Sequence, residues 1–280
     1  MIRFRLGLVL ESLGMPLRKA LSEAAKLGVQ GVQIDAVGDL SPEKLGSTGR
    51  REFKTLLRSY SLELVALACP LRRGLDSFEA QQERLDRIRT AMQLAVDLGA
   101  KRINLPLPRI PVEEPKPEGE ATPTFKIGLA PSKSVILRES LASLGNSADR
   151  LGVRIGLEGG FDSATATRDY LKGFGSETLG FTYDPANFLG HGHDPVNGLM
   201  PLAGNTIHVH GRDARTARAA GAGTEEVNAG AGDIDWISFF ATLSVVEYEG
   251  FVCAERTNSA NPSSDVAASV GFLRRFVPVG

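Results

Sequence analysis

Short apolar runs alternate with longer amphipathic stretches along almost the whole sequence, and this alternation restricts the fold more than any other feature. Eight runs have the length and residue types of β-strands: Phe4–Leu10, Gly31–Asp35, Leu62–Cys69, Arg102–Leu107, Val153–Glu158, Gly180–Asp184, Thr206–His210 and Phe251–Glu255. Helical periodicity separates most of them, over Leu17–Lys26, around Arg50–Ser59, over Phe78–Leu98 and over Lys133–Leu151. Glycines at 99 and 152 indicate that two of these helices end just before a strand begins.

Eight strands with helices between them predict a (β/α)8 TIM barrel, in which a parallel eight-stranded barrel is surrounded by helices. An open, doubly wound sheet is the alternative. The residues after the first run read Glu11-Ser12-Leu13-Gly14-Met15-Pro16, which is not a glycine-rich dinucleotide fingerprint. We therefore expect residues 1–280 to form a single TIM-barrel domain. A chain of this size buries about 73% of its unfolded surface, so it needs no disulfide or metal to fold.

The charge balance argues against several classes of partner. With 32 basic and 33 acidic residues, the chain has a formal net charge of -1 and no broad positive field for a phosphate backbone, so we expect no nucleic acid. No run of about 18 uncharged apolar residues occurs, so we expect no membrane span. The first residues lack a secretion signal, and we expect a cytoplasmic location. Cys69 and Cys253 lie in apolar runs and are expected to be buried thiols.

A proline-rich segment follows the fourth predicted strand. Residues 106–131 contain seven of the 15 prolines together with four glutamates, which predicts a long loop inserted after that strand. The loop leaves the barrel on the face where TIM-barrel active sites form. A lid over the site and a plain surface insertion are both open interpretations.

Four predicted strands in the second half of the chain end in a side chain that can bind a metal ion: Glu158, Asp184, His210 and Glu255. Side chains alternate between the two faces of a strand. In the fifth run, Ile155 and Leu157 share one face, whereas Gly156 shares the other with the terminal glutamate. The same alternation recurs in the other three runs. We therefore expect all four terminal side chains to meet at the carboxyl-end mouth of the barrel.

Three carboxylates brought together in that mouth repel one another and lose hydration, so they require a cation. Three carboxylates and one imidazole suit Mn²⁺, Mg²⁺, Co²⁺ or Zn²⁺ better than a thiolate-binding metal. The simpler interpretation is that each carboxylate caps a helix or forms an ion pair. The shared alternation of all four favours a single divalent metal site.

The sequence resembles the xylose isomerase-like TIM-barrel superfamily, and most closely its sugar phosphate isomerase/epimerase branch. The motifs that carry the resemblance are Gly156-Leu157-Glu158, Tyr183-Asp184-Pro185-Ala186-Asn187, His208-Val209-His210-Gly211-Arg212-Asp213, Gly232-Asp233-Ile234-Asp235-Trp236 and Ala254-Glu255. That branch includes ketose 3-epimerases, hydroxypyruvate isomerases and inosose dehydratases. The resemblance implies one divalent metal held by Glu158, Asp184, His210 and Glu255, with Glu158 and Glu255 also acting as the catalytic acid/base pair.

Three further residues are expected to contact the substrate. Members of the epimerase branch usually carry a histidine three residues after the strand-six aspartate, and here that position is Asn187, whose amide can bond a hydroxyl but cannot titrate. His208 is expected in the lumen one step below His210, as a support for the metal site or a substrate contact. Arg212, Arg215 and Arg218 follow the seventh strand and could bind a phosphate or carboxylate group, with Arg212 the best placed.

For four other residues, the sequence gives weaker indications of a position near the site. Glu11 and Asp35 end or follow the first two strands, which could bring them to the rim of the pocket. His191 and His193 precede Asp194-Pro195, a sequence typical of a helix start, so we expect them on the rim and not as metal ligands.

Together these features predict an isomerase or epimerase of a small keto-sugar, polyol or sugar phosphate that uses a divalent metal. A glutamate would remove a proton next to the carbonyl, and the metal would stabilise the enediolate. An inosose-dehydratase-like lyase, a metal-mediated hydride shift and a non-catalytic sugar-binding barrel are the alternatives. Dimers and tetramers are common in the family that the chain resembles, which leaves a homo-oligomer open.

Overall fold

A closed barrel of eight parallel strands forms the centre of the protein. The computed structural model describes residues 4–111, 132–217 and 223–277. The strands in these ranges are β1 Phe4–Val9, β2 Gly31–Asp35, β3 Glu63–Ala68, β4 Arg102–Pro106, β5 Arg154–Glu158, β6 Leu179–Tyr183, β7 Thr206–Gly211, β8 Asp213–Thr216, β9 Thr224–Val227 and β10 Gly250–Ala254. Around the barrel the order is β1-β10-β7-β6-β5-β4-β3-β2, and β1 pairs with β2 to close it. The predicted TIM barrel is confirmed, and the open-sheet alternative is wrong.

Helices follow most barrel strands and cover the outside. They are α1 Leu17–Lys26, α2 Ser47–Ser59, α3 Gln81–Leu98, α4 Lys133–Leu151, α5 Ala164–Lys172, α6 Pro185–Gly190, α7 Trp236–Val245 and α8 Pro262–Leu273. α1 and α4 have the predicted bounds. α3 begins three residues later than predicted because Ala80 has a left-handed φ of 51° and cannot lie within the helix. Gly99 and Gly152 end α3 and α4 in the left-handed region, with φ of 91° and 67°, as predicted.

A small antiparallel hairpin follows β7, where the sequence indicated only a loop. β8 pairs with β9, and Asp213 lies opposite Val227. These two short strands are mostly polar, so they lack the apolar alternation by which the barrel strands were found. Arg215 therefore lies in a strand and not in a loop, and Arg218 lies outside the described residues.

Apolar side chains fill the space between strands and helices and also the lower lumen. Ile155 and Leu157 point to the helix layer and are fully buried. Phe251 and Cys253 pack with Val9 and Val65 in a separate cluster. Both cysteines are free and buried, as expected. Because parallel strands carry these packed layers, their carboxyl ends are held rigidly at one mouth of the barrel.

Most of the predicted proline-rich loop lies outside the described residues. Of the proline-rich loop at 106–131, Pro106 is the last residue of β4, and 112–131 lie outside the described residues. The lid and the surface insertion both stay predictions, as does the single domain over 1–280. None of the helices in the described ranges is long and apolar enough to cross a membrane.

Candidate active site

Four ligating side chains converge at the carboxyl-end mouth of the barrel. Glu158 is the last residue of β5, and His210 is the penultimate residue of β7. Asp184 and Glu255 come directly after β6 and β10, one residue beyond the strand ends. One oxygen or nitrogen atom from each residue lies within 4.8 Å of the corresponding atoms of the other three. The structure thus brings together all four residues that the sequence singled out for a metal.

His210 lies between the two glutamates. Its Nδ1 is 2.9 Å from Glu255 Oε2 and 3.6 Å from Glu158 Oε2. Burial opposes a charge on the imidazole, but the two carboxylates outweigh burial and raise the pKa of His210 well above its ordinary value. Burial by itself raises the pKa of Glu255, but the neighbouring imidazolium and Arg212 together outweigh burial and bring the pKa down to about 2. In the absence of a metal, the His210 imidazolium is therefore paired with the buried Glu255 carboxylate, and Glu158 lies beside this pair.

Asp184 is held by the start of the following helix. Its Oδ1 accepts hydrogen bonds from the backbone N–H groups of Ala186 at 2.8 Å and Asn187 at 3.2 Å, which makes it the N-cap of α6. Pro185 occupies the first helical position, where its missing N–H costs nothing. The other oxygen, Oδ2, lies 3.0 Å from Arg212 Nη2. Burial raises the pKa of Asp184 to about 7, and Arg212 opposes that rise.

The donor atoms fit a divalent cation. Asp184 Oδ2, His210 Nδ1 and Glu255 Oε2 are buried and, apart from contacts with one another, Glu158 and Arg212, have no hydrogen-bond partner among the described residues. Unsatisfied polar atoms that face one another are costly unless a cation joins them. With His210 neutral, one dication and Arg212 balance the three carboxylates. Oxygen and imidazole ligands suit Mg²⁺, Mn²⁺, Co²⁺ or Zn²⁺.

The three residues predicted to contact substrate occupy different depths. Asn187 lines a cavity of about 620 Å³ that Glu158 and Glu255 also line, and its Nδ2 donates a hydrogen bond to Glu158 Oε1 at 3.2 Å. Arg212 donates to Asn187 Oδ1 and pairs with Asp184, so its guanidinium lies behind the cavity wall. His208 is fully buried beneath His210, with ring centroids 5.2 Å apart, and does not line the cavity. Burial lowers the pKa of His208 well below its usual value, and His210 adds to that effect.

The cavity wall contains a second pair of acids that the sequence indicated only weakly. Glu11 and Asp35 both line the cavity, and Glu11 Oε1 accepts a hydrogen bond from the backbone N–H of Asp35 at 2.8 Å. Loss of hydration in the cavity wall and the charge of Asp35 raise the pKa of Glu11 to about 7. Burial, Glu255 and Glu158 raise the pKa of Asp35 to about 6. Both residues reach the pocket, as the strand ends suggested.

The opposite side of the cavity is aromatic. Phe161 is 41% exposed, and its ring centroid lies 4.5 Å from that of His191. The Nδ1 of His191 lies 2.8 Å from Asn187 O, and His193 Nε2 lies 3.3 Å from Phe161 O. The two histidines therefore lie at the rim, as expected. Asp194 Oδ1 accepts hydrogen bonds from the backbone N–H groups of Val196 and Asn197, but only a short 3-10 turn, Asn197–Leu199, follows where the sequence predicted a helix.

Sequence reasoning missed two polar residues directly below the cluster. Gln33 and Asn104 line the cavity floor and are each 3% exposed. Gln33 Oε1 lies 3.0 Å from His210 Nε2. Both amides lie in otherwise mostly apolar strands, β2 and β4, with the alternation that places side chains in the lumen. The alternation rule could have found them if it had been applied to amides as well as to metal ligands.

Comparisons with known proteins agree with this architecture. Residues 21–276 match the model of the xylose isomerase-like TIM barrel family. No curated protein sequence matches the chain. Among solved structures, a xylose isomerase domain protein from Planctomyces limnophilus has a TM-score of 0.81 at 20% identity, over 98% of this chain and 97% of that one.

Two further structures with this fold are named as epimerases. D-allulose 3-epimerase from Methylomonas sp., in complex with D-allulose, has a TM-score of 0.71 at 16% identity, over 98% of each chain. The 3-keto-D-glucoside 4-epimerase from E. coli has a TM-score of 0.71 at 18% identity, over 98% of this chain and 100% of that one. At these identities the likeness shows the fold alone. Because the family match spans almost the whole sequence, the chain belongs to the xylose isomerase-like TIM barrel family.

Proposed function

We propose that this protein is a divalent-metal-dependent isomerase or epimerase of a small sugar that carries a carbonyl group. The observation that carries the proposal is the pair of carboxylates, Glu158 and Glu255, which line a cavity of about 620 Å³ and lie 3.6 and 2.9 Å from His210 Nδ1. Such a cavity accommodates a small sugar. Two carboxylates beside one metal site provide an acid and a base within reach of the same carbon atom.

The cation and the two glutamates have different roles in the proposed reaction. Glu158, Asp184, His210 and Glu255 would hold a divalent cation, whose positive charge would polarise a carbonyl group and lower the pKa of the neighbouring C–H. Either glutamate can accept that proton, and the other can return a proton to the opposite face of the enediolate and invert the carbon. Return of the proton to the adjacent carbon gives an isomer instead. Asn187 orients Glu158 through its hydrogen bond, and Arg212 holds Asp184.

The charge of the cavity wall favours an uncharged sugar over a sugar phosphate. Glu11, Asp35, Glu158 and Glu255 all line the cavity. Arg256 is the one Lys or Arg among the described lining residues, and its guanidinium lies 3.2 Å from Glu226 and 3.3 Å from Asp265. Away from the metal site, a phosphate would meet Glu11 and Asp35 and, among the described lining residues, no uncommitted guanidinium or ammonium group. Sugar hydroxyls can instead donate hydrogen bonds to those carboxylates.

The names of similar structures support epimerisation without fixing the carbon atom. One is named as a 3-epimerase and another as a 4-epimerase, on the same fold. TIM barrels of the same fold differ in their loops, and the loops select which carbon lies next to the base. The proposal therefore names a class of reaction, epimerisation or isomerisation, and a class of substrate, uncharged keto-sugars.

The experiment is turnover of uncharged keto-sugars and their phosphate esters in D2O with Mn²⁺, Mg²⁺ or Co²⁺ added. We expect an epimer or isomer with deuterium at the reacting carbon, and about 10²–10⁴-fold lower kcat for Glu158→Gln and for Glu255→Gln. Glu225→Gln, on the exposed side of β9, is the matched control and should keep full activity. Loss of water from the product would indicate a lyase, and product without deuterium would indicate a hydride shift. No turnover of any sugar would favour a non-catalytic barrel.

A further inference from the structure

A chain of hydrogen bonds crosses the lumen beneath the four ligating residues. The hydroxyl of Thr182 on β6 donates to Asn104 Oδ1 on β4 at 3.0 Å. Asn104 Nδ2 donates to Gln33 Oε1 on β2 at 2.6 Å. The same Gln33 oxygen lies 3.0 Å from His210 Nε2 on β7. All four side chains are 3% exposed or less, so water does not compete for these bonds.

The direction of each bond in this chain fixes the next one. Because Asn104 Oδ1 accepts from Thr182, its amide group turns Nδ2 toward Gln33. Gln33 therefore presents its oxygen, and not its Nε2, to the imidazole. An oxygen can only accept, so His210 must carry a proton on Nε2. Nδ1 faces Glu158 and Glu255 and is then the ring nitrogen that can bind a cation, once it has given up its own proton.

We propose that Gln33 and Asn104 are positioning residues that select Nδ1 as the metal-binding nitrogen of His210 and hold its ring in place. The inference rests on the proposed metal-dependent function and names the residues that prepare its histidine ligand. Metal-binding histidines generally need an acceptor for their second ring nitrogen, and losing it weakens metal binding. Here the acceptor is a neutral amide oxygen, and a second amide and a hydroxyl orient it.

A glycine in β5 gives independent support, because its lack of a side chain leaves room for these hydrogen bonds. A Cβ atom at Gly156 would overlap Thr182 Oγ1 and lie 2.6 Å from Asn104 Oδ1. Any side chain at this position would therefore displace the bond between those two residues. Gly156 lies two residues before Glu158 and on the same face of β5. The strand that supplies the ligand Glu158 therefore also leaves room for the hydrogen bonds among Thr182, Asn104 and Gln33.

The test is the affinity of the full-length protein for Mn²⁺, measured by titration calorimetry on metal-free protein. We expect Gln33→Leu to weaken Mn²⁺ binding by about 10–100-fold, because Nε2–H loses its acceptor. Gln33→Glu keeps an acceptor oxygen and should bind Mn²⁺ more tightly than the Leu variant. Thr182→Val, which is nearly isosteric, removes only the far end of the chain and should weaken binding by about fivefold. Gln30→Leu, at the opposite end of the barrel beside Leu6, is the control and should bind like wild type.

A spectroscopic readout separates positioning from a general structural role. In the Zn²⁺-loaded protein with ¹⁵N-labelled histidine, wild type should show a protected Nε2–H and a metal-bound Nδ1 for His210. In Gln33→Leu we expect the Nε2–H to exchange rapidly or the metal to move to Nε2. Thr182→Val keeps the test valid if Gln33→Leu does not fold.

Two results would overturn the inference while leaving the proposed function in place. One is wild-type Mn²⁺ affinity in both Gln33→Leu and Thr182→Val. The other is a protonated Nδ1 in Zn²⁺-loaded wild type. Failure of the proposed function has a different signature: Mn²⁺ binding depends on Gln33, but no sugar is converted. A wild-type chain that binds neither Mn²⁺ nor Zn²⁺ overturns both.

Discussion

Asn187 donates a hydrogen bond from Nδ2 to Oε1 of Glu158 at 3.2 Å. Its Oδ1 accepts a hydrogen bond from the Arg212 guanidinium, so a single amide joins a basic group behind the cavity wall to a carboxylate in front of it. The sequence marked this position because an asparagine stands where the epimerase branch usually has a histidine. In this chain the asparagine side chain orients Glu158.

Asn187→Ala is therefore expected to lower kcat for sugar conversion by about 10–100-fold, because the Glu158 carboxylate loses the bond that fixes its direction. The KM should change less, since the substitution leaves the rest of the cavity intact. Steady-state kinetics on the best keto-sugar measure both constants. Asn205→Ala, at the opposite end of β7, is the control. An unchanged kcat in Asn187→Ala would mean that Glu158 needs no such support.

The raised pKa of Glu11 predicts a dependence of stability on pH. Burial and Asp35 raise this pKa from 4.5 to about 7, so the folded protein retains a proton that the unfolded chain loses. Unfolding then releases a proton between about pH 4.5 and 7, and the free energy of unfolding should fall as the pH rises across this window.

Urea denaturation of the metal-free protein at a series of pH values measures this dependence. Glu11→Gln removes one of the titrating groups and should make the decline shallower, while Asp35 and Asp184, whose pKa values are also raised, maintain the rest of it. Glu52→Gln, on the exposed surface of α2, should leave the decline as in wild type. A decline of equal slope in Glu11→Gln and wild type would contradict the assignment.

Phe161 presents an exposed aromatic ring to the cavity, opposite the acidic wall. An aromatic face contacts the C–H face of a sugar, and it does so equally in the ground state and the transition state. Phe161→Ala should therefore raise KM by about three- to tenfold with little effect on kcat. Phe78→Ala removes another exposed phenylalanine that does not line the cavity, and it should leave both constants unchanged. A fall in kcat without a change in KM would assign the ring a different role.

The Asp213 carboxylate, at the start of β8, holds the hairpin in place by accepting several hydrogen bonds. Its carboxylate accepts hydrogen bonds from the indole N–H of Trp236 and the backbone N–H of Gly230, both at 2.8 Å, and of Gly232 at 3.2 Å. Asp213→Ala leaves the buried indole N–H and the part-buried backbone N–H groups without their acceptor and should lower the free energy of unfolding by about 2–4 kcal/mol. Chemical denaturation measures the change. Asp235→Ala, which removes only the exposed N-cap of α7, should cost about 1 kcal/mol. Equal losses in the two variants would contradict the account.

Much of the fold and the cluster could be predicted from the sequence because both follow from periodicity. Apolar runs of strand length locate each barrel strand, and parallel strands put all carboxyl ends at one mouth. Alternation within β5 then places Glu158 on the same face as Gly156, in the lumen. The same argument brought Asp184 to the site even though β6 ends one residue before it, because its backbone remains extended.

The contacts that depend on stagger between strands could not be predicted. Gln33 reaches His210 across the lumen, and a register shift between Val32 and Gln33 sets its height. The pairing of Arg212 with Asp184 depends likewise on how the chain leaves β7. The Asp213 carboxylate accepts hydrogen bonds from groups that lie 17 to 23 residues later in the sequence, and no local sequence pattern predicts such contacts.

The central claim is that Glu158, Asp184, His210 and Glu255 hold one divalent cation. Anomalous diffraction at the manganese edge, from crystals soaked in Mn²⁺, tests it most directly. The account predicts a single peak within about 2.0–2.6 Å of one atom from each of the four side chains, with His210 bound through Nδ1. The absence of such a peak, or a peak held by other residues, would contradict it.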